Sequence, residues 1–479
     1  MTGALRSYVD GVWRDGVRTV VRTNPAHPST VVAEVSLADA VLASAAVLAA
    51  RKAFASWRAT PAPARGEILR RAADLMEHQV ENIGRDLTRE EGKTIGEAIG
   101  ETRRAVAILR YYAGQTLEPD GETYPSATPD FLLYTKREAL GVVVAITPWN
   151  FPIAIPAWKI APALAYGNAV VWKPAELVPL TAVHFVQALI EAGLPEGVLN
   201  LVLSSSADVG NVLVTHPDVD AITFTGSNAV GRAVQRAAIP LGKKVQLELG
   251  GKNPAVVLAD ADLDHAAEQV ARGAFLSAGQ KCTATSRVIV ERSAVAGLSE
   301  RLAERARSWK VGDPLAPDTI VGPLVSDERL KSVLSYIEVA KADGGRLVAG
   351  GGRLDGEGHF VRPTIFTDVP AASRASREEI FGPVALVVPA ESGAEALAIA
   401  NDTPFGLVAS LFTRDLGRAL AFARDMRAGV VKINQETAGL ELQLPFGGTK
   451  DSSSGSREQG KAAREFFTEW KTIYLGPPG

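Results

Sequence analysis

Gly141-Val-Val-Val-Ala-Ile-Thr-Pro-Trp-Asn-Phe-Pro-Ile-Ala-Ile-Pro-Ala-Trp-Lys159 is the stretch on which the reading of the chain turns. From Ala139 to Trp158 it runs 20 residues without a charge, long enough for a bilayer-spanning helix. Pro148, Pro152 and Pro156 interrupt it at four-residue intervals, with Asn150 between the first two. Each proline removes a helix hydrogen bond that lipid cannot replace, so a membrane span is excluded. What remains is a buried strand, residues 141–146, running into a turn and then a helix.

The same alternation continues outward. Apolar runs at 142–146, 169–172, 199–203, 221–224 and 245–247 are separated by helix-like segments, the pattern of βαβ units around a parallel sheet. A second series follows at 255–258, 287–290, 385–388 and 430–433. The fold class is therefore α/β, with two α/β domains in tandem. Helix patterns dominate the first 120 residues. One spans 40–57 with Asp39 as its N-cap, one spans 65–91 with a stripe of Ile68, Leu69, Ala72, Leu75 and Met76, and one spans 97–112. Residues 119–130 form a Pro/Gly/Ser-rich break. The tail, 466–475, reads as a strand of the kind that pairs with another subunit.

Composition narrows the function classes. A chain of 479 residues with 46% hydrophobic and 22% charged residues is an ordinary multi-domain globular protein. Its single cysteine rules out an intrachain disulfide and a Cys-based zinc or iron–sulfur cage, so no metal site is expected. Fifty-one basic against 54 acidic residues, a net charge of −3, offers no face for nucleic acid or for a membrane surface. The opening residues carry no apolar signal segment, which predicts a cytoplasmic protein.

Cys282 is the first candidate for chemistry. A lone cysteine reads as a small buried hydrophobe or as a nucleophile. Its setting, Ala278-Gly-Gln-Lys-Cys-Thr-Ala284, is small and polar, and a nearby cation with backbone amides would lower the thiol pKa. None of the six histidines forms a recognisable Cys–His motif, so the base must be a carboxylate. Glu248 ends a strand beside two glycines; it reads as a surface acid or as a general base whose pKa is raised by apolar surroundings. The turn Phe224-Thr-Gly-Ser-Asn-Ala-Val-Gly231 lacks the GxGxxG fingerprint, and is either a pyrophosphate site at a helix start or a plain strand–helix turn. Lys173 and Glu176, at another strand end, read as ribose-binding groups or as a solvated ion pair. Asn150 reads as an oxyanion donor or as a structural turn residue.

Together these residues resemble one family, the aldehyde dehydrogenases, over about residues 8–475. The resemblance rests on Pro148-Trp-Asn-Phe-Pro152, Lys173-Pro-Ala-Glu176, Phe224-Thr-Gly-Ser227, Glu248-Leu-Gly-Gly251, Gly279-Gln-Lys-Cys282, Glu379-Ile-Phe-Gly-Pro383 and Pro445-Phe-Gly-Gly448. It implies that Cys282 attacks an aldehyde as thiolate, that Asn150 and the Cys282 N–H hold the oxyanion, and that Glu248 activates the water that releases a thioester. Lys159 and Glu458 would relay the proton. The cofactor would be NAD, with NADP admissible, held by Trp149, Lys173, Glu176, Gly226, Ser227, Leu249, Glu379 and Phe381. The implied fold is a Rossmann-like cofactor domain (1–118 and 140–249), a catalytic α/β domain (250–447) and a bridging element (119–139 and 460–479) through which homodimers or homotetramers form.

Three stretches look most like the dehydrogenases of α-ketoglutaric semialdehyde: Gly121-Glu-Thr-Tyr-Pro-Ser126, Ile153-Ala-Ile-Pro-Ala-Trp-Lys-Ile-Ala-Pro162, and the segment 439–460. A distal carboxylate needs a cation at the tunnel mouth; Arg457 and the neutral Gln443 are the candidates there. The rival substrate is a medium-chain or aromatic aldehyde in an apolar tunnel of Trp158, Phe151 and Leu440. A CoA-acylating enzyme is a further alternative, against which Glu248 argues, and a non-enzymatic member is another, against which the joint presence of Cys282, Glu248 and Asn150 argues. One departure from the family is Ser204-Ser-Ser-Ala-Asp208, where a glycine-containing turn is usual near the adenine end of the cofactor.

Overall fold

Val142–Ile146, Ala169–Lys173 and Ala221–Thr225 are almost wholly buried and rich in β-branched residues, as parallel strands covered on both faces must be. The computed structural model describes residues 3–478; Met1, Thr2 and Gly479, at the ends of the expected segments, lie outside the described residues. The central strands of the first sheet run in the order Leu199–Leu201, Ala169–Lys173, Val142–Ile146, Ala221–Thr225, Lys244–Glu248, all parallel. The order reverses between Val142–Ile146 and Ala221–Thr225. A crevice opens there beyond the carboxyl ends of the strands, the usual ligand position in such sheets. Antiparallel strands Ser7–Val9 with Val12–Arg14 close one side, and Ser453–Ser454 closes the other.

The second sheet runs Arg346–Ala349, Thr364–Thr367, Val384–Ala390, Thr285–Glu291, Asn253–Val257, Val408–Phe412, Val430–Ile433. All its neighbours are parallel except the first pair. Residues 249–252 alone join Lys244–Glu248 of the first sheet to Asn253–Val257 of the second. That short link sets the carboxyl edge of one sheet against the amino edge of the other, and the site lies between them.

The helix expected at 40–57 is Ala40–Ala59, with the Asp39 carboxylate accepting from Leu42 N–H at 2.9 Å. The helix Ile95–Gln115 starts in a Thr94/Glu97 capping box. The single helix expected over 65–91 is two, Ala62–His78 and Val80–Glu91, broken at Gln79, whose ψ is 9°. No glycine or proline marks that break; both pieces instead bury one face against Ile95–Gln115 or its neighbours. The helix-dominated reading of the first 120 residues also missed four strands, Ser7–Val9, Val12–Arg14, Arg18–Thr23 and Val31–Leu37. They are short, and the Arg18–Thr23 strand is largely exposed, so their hydrophobic period is weak.

The tail differs too. Phe466 and Phe467 belong to a buried helix, Ala463–Phe467, and the strand Thr468–Leu475 pairs along its whole length with Leu132–Ala139 of its own chain. Thr123–Tyr124 adds a third strand. Residues 139–158 form a strand, a turn and a helix, as their prolines require. Among the described residues one helix, Ala40–Ala59, is long and apolar enough to cross a membrane. Its Ala43, Ala46, Val47 and Ala50 are packed against Val142 and Val144 of the first sheet.

Asn168 ties these parts together. Its side-chain oxygen accepts from Leu140 N–H (2.8 Å) and Gly141 N–H (3.1 Å), and its amide donates to the carbonyls of Ala163 (3.2 Å) and Phe467 (2.9 Å). Asn168→Ala strands several buried groups at about 1–3 kcal/mol each. A fall of about 3 kcal/mol or more in urea unfolding stability is expected, and a loss below about 1 kcal/mol contradicts it.

Candidate active site

The crevice of the first sheet forms a cavity of about 200 Å³ lined by Pro148, Trp149, Asn150, Ile155, Thr225, Gly226, Ser227, Leu249, Gly250, Cys282, Arg329, Glu379 and Phe381. Eight of the thirteen predicted site residues therefore share one wall. A larger hollow of about 540 Å³ around Arg292, Glu300 and Arg346 contains none of them. Lys173 and Glu176 lie at the end of the adjacent strand, with Lys173 paired to Ile146 in the sheet register.

Each lining group has a local cause. The turn after Val142–Ile146 is pinned where Trp172 Nε1 donates to Thr147 Oγ1 at 2.9 Å. The Trp149 ring meets Phe381 edge to face at 5.5 Å between centroids. Ser227 caps the helix Asn228–Ala238, its side chain accepting from Val230 N–H, and lines the cavity with Gly226. Glu379 accepts from Gly251 N–H at 3.0 Å, and a side chain on Gly250 would stand 2.5 Å from its carboxylate. A Cβ on Gly231 would stand 2.4 Å from a Leu249 methyl, so a side chain there would push Leu249 aside. Burial raises the Glu379 pKa, and Gly251 N–H, Lys252 and Arg329 oppose it.

Cys282 follows a helix, Leu263–Phe275, and a strained turn in which Ser277, Ala278 and Gly279 all have φ between 51° and 69°. A Cβ on Gly279 would stand 2.2 Å from the Gly382 carbonyl. The expected lowering of the thiol pKa is overturned. Burial, together with the carboxylates of Glu379 and Glu248, pushes the Cys282 thiol up to about 12, against the pull of the Thr283 and Cys282 N–H groups. The anticipated cation is not available: the buried Lys281 amine donates to the Arg272 carbonyl at 3.1 Å. Asn150, buried, donates its side-chain amide to the Gln280 carbonyl at 3.0 Å, which places it two residues from the thiol in the chain.

Glu248 is 3% exposed, and burial raises its pKa well above the carboxylate range, helped by Glu458 and opposed by the Ser453 hydroxyl. Ser453 Oγ donates to one of its oxygens at 2.6 Å; the other, Oε1, has no partner among the described residues. Gly447 (φ 147°) leaves room for that oxygen, since a Cβ there would stand 2.6 Å from it. Behind it, Lys159 donates to Glu458 and to Thr223 Oγ1 (2.8 Å), and Trp158 Nε1 donates to the other Glu458 oxygen at 2.8 Å. Lys159 and Glu458 are thus a buried ion pair beside Glu248. Arg457 donates to the Gly448 carbonyl.

Several charged groups escaped the sequence reading because their partners are remote in the chain. Arg329 lines the cavity and stacks 5.7 Å over Phe381, with its Nε unpartnered. Lys252, buried beside Arg287, is lowered to about 7 by that burial. Arg22 lies close enough to Glu176 to feel its charge. Arg104 meets Gln459 Oε1 at 3.3 Å and feels Glu441. The 204–206 serines are structural: Ser204 donates to the Ala38 carbonyl and Ser206 caps the helix Ala207–Thr215.

The raised thiol gives a direct prediction, since Cys282 is the only cysteine. In cofactor-free protein the rate of alkylation by iodoacetamide should climb about tenfold per pH unit from 7 to 10, because the thiolate fraction keeps growing below the thiol pKa. A plateau below pH 8.5 would show a thiol already ionised and contradict the geometry.

The sequence profile of the Aldehyde dehydrogenase family matches residues 13–473. The α-ketoglutaric semialdehyde dehydrogenase of Bacillus subtilis is 48% identical, covering 98% of this chain and 98% of that protein. The α-ketoglutarate semialdehyde dehydrogenase of Haloferax volcanii is 46% identical over 99% of both. A crystal structure of Staphylococcus aureus betaine aldehyde dehydrogenase in complex with NAD+ superposes with a TM-score of 0.95 at 36% identity, covering 98% of this chain and 94% of that one. The match of profile, relatives and three-dimensional structure, each over nearly the whole chain, makes this protein a member of the aldehyde dehydrogenase family.

Proposed function

We propose that this protein oxidises an aldehyde to a carboxylic acid with NAD as acceptor, by way of a thioester on Cys282. The observation that carries the reading is the juxtaposition of the lone thiol, the Asn150 amide at the same cavity wall, and a buried Glu248 with one unpartnered oxygen. The Cys282 thiol releases its proton to solvent, and the thiolate sulfur adds to the aldehyde carbon. The Asn150 amide and the Cys282 N–H stabilise the resulting oxyanion. When bound, the nicotinamide ring takes the hydride lost by the substrate carbon. The thioester left on Cys282 is cut by a water held at Glu248 Oε1, whose proton passes towards Lys159 and Glu458.

The residues present fit the cofactor. The Trp149, Leu249 and Phe381 side chains form apolar walls, the Ser227 hydroxyl offers a donor at a helix start for a pyrophosphate beside Gly226, whose own N–H is bonded to the Glu248 carbonyl, and Glu379 would accept from a ribose hydroxyl. The Arg329 guanidinium adds a positive charge to this wall. Glu176 would accept from the adenosine ribose and repel a 2′-phosphate, with Lys173 and Arg22 moderating that repulsion. The first-sheet segments (1–118 and 140–249) would then form the cofactor domain and 250–447 the catalytic one. The bridging element proposed at 119–139 and 460–479 would carry the third sheet, whose strands Thr123–Tyr124, Leu132–Ala139 and Thr468–Leu475 expose Tyr124, Leu132, Trp470, Tyr474 and Leu475, a face suited to a homodimer or homotetramer. A cytoplasmic location accords with this chemistry.

For the substrate we favour α-ketoglutaric semialdehyde, which the names of the two relatives above specify. Arg104 supplies the cation that a distal carboxylate needs. It lies on the helix Ile95–Gln115, three residues beyond the buried Glu101 and so on the same side of the helix, half-buried between Gln459 and the loop of Glu441. The next-door Leu440 and the Cys282 side chain both pack against the small cluster of Leu407, Val408 and Phe446, and Gln459 Nε2 is buried without a partner among the described residues. With NAD, kcat/KM for α-ketoglutaric and succinic semialdehydes should exceed that for butanal, hexanal and benzaldehyde. Arg104→Met should reduce it roughly a hundredfold for the first group only, and NADP should be the poorer cofactor throughout. Equal or better efficiency with the uncharged aldehydes, or with NADP, overturns the respective assignment.

A further inference from the structure

The chain between Val80–Glu91 and Ile95–Gln115 buries charge that the proposed reaction does not use. Lys93 is fully enclosed. Its amine donates to Glu101 at 2.6 Å and to the backbone carbonyl of Asn150 at 2.8 Å, and it lies 4.1 Å from the centroid of the Phe151 ring. Its backbone N–H donates to Glu91 at 2.9 Å. Glu101, on the next turns of the helix, accepts from the N–H groups of Ile153 (3.0 Å) and Ala154 (3.1 Å). Both sides of Asn150 are therefore held by one short segment: its carbonyl by a lysine, and the helix start after it by that lysine's carboxylate partner.

The same segment reaches the thiol loop. Glu97 Oε1 accepts from Ser277 N–H at 2.7 Å and Ser277 Oγ at 2.9 Å, while its other oxygen accepts from Thr94 N–H (3.1 Å) and Thr94 Oγ1 (2.9 Å). Ser277 begins the run of left-handed residues that turns the chain towards Cys282. For Ser277 and Ala278 that conformation is strained, and it persists only where surrounding bonds fix it. The two arms meet at Gln280, whose carbonyl takes the Asn150 amide and whose side-chain oxygen takes Val325 N–H at 3.0 Å. A lysine stripped of water is tolerated here because burial, which disfavours its charge, is outweighed by Glu101 and Glu91; its pKa lies above the usual lysine value.

We propose that Lys93, Glu97 and Glu101 are positioning residues that fix the Asn150 amide and the Cys282 N–H relative to one another, so that the oxyanion site is assembled from beneath by a single helix start. This rests on the reading of Asn150 as an oxyanion donor. The three residues touch neither substrate nor cofactor. Their effect falls on the step in which negative charge develops on the aldehyde oxygen, where a displacement of well under 1 Å between paired donors is costly.

The test is a double-mutant cycle on the pre-steady-state burst of NADH in the full-length enzyme, with Lys93→Met, Asn150→Ala and the pair. Asn150→Ala should slow the burst about a hundredfold or more. Lys93→Met should slow it at least about tenfold, with the KM for NAD changed less than about twofold; added to Asn150→Ala it should cost less than about twofold further, since it acts through Asn150. Equal losses from Lys93→Met in both backgrounds, or a parallel rise in the KM for NAD, overturn the proposal. A fast burst in Asn150→Ala refutes instead the oxyanion role of Asn150. Because unpairing buried Glu101 can unfold the protein, Glu97→Gln provides a second route. It keeps a side-chain acceptor for Thr94 or Ser277, should leave the melting curve nearly unchanged and slow the burst at least about threefold with the KM for NAD held; an unchanged burst overturns the Glu97 arm.

Discussion

A carboxylate enclosed by protein must be surrounded by donors or surrender its charge. The interior of this molecule applies both solutions. Glu90 accepts from Leu180 N–H at 2.5 Å and from the N–H and hydroxyl of Thr181 at 3.0 and 2.6 Å. Glu101 has Lys93 and two helix-start N–H groups, and Glu458 has Lys159 and the Trp158 indole. These are struts: each oxygen is engaged. Glu248 and Glu91 each have one oxygen engaged and the other without a partner among the described residues, and burial raises the pKa of both; of the two, only Glu248 acts on the thiol.

The placement of the site follows from how the sheets are joined. Strand order reverses between Val142–Ile146 and Ala221–Thr225, so the turns at 147–150 and 226–227 diverge and leave a crevice. The short link 249–252 then forces the start of the second sheet, and with it the Cys282 loop, against that crevice. Glycines recur here because neighbouring groups approach too closely for a side chain: Gly250 beside Glu379, Gly251 beside the Cys282 carbonyl, Gly447 beside Glu248. The motifs Glu248–Gly251 and Pro445–Gly448, far apart in sequence, are thus two halves of one packing requirement around a carboxylate.

The parallel strands and the site residues at their ends were legible because they are local: five apolar runs, a proline-punctuated turn and a lone cysteine each stand out in a short window. The break at Gln79 was not, since two helices there bury separate faces with no proline or glycine between them. The hairpin Arg18–Thr23 with Val31–Leu37 was hidden by its solvent exposure. The thiol's electrostatics were misjudged for a related reason. Lys281 precedes Cys282 in sequence, yet its amine is turned to the Arg272 carbonyl, while the acids that act on the thiol come from positions 248 and 379. Arg104 and Arg329 lay beyond reach in the same way, their partners being tens to hundreds of residues distant.

A covalent thioester on Cys282, released by Glu248, is the central claim, and mass spectrometry of the Glu248→Gln protein quenched after mixing with NAD and α-ketoglutaric semialdehyde tests it most directly. The expected result is an adduct of the acyl group's mass on the peptide containing Cys282, accumulating because hydrolysis is slowed. NADH formed with no adduct on Cys282, or with the adduct on another residue, would contradict it.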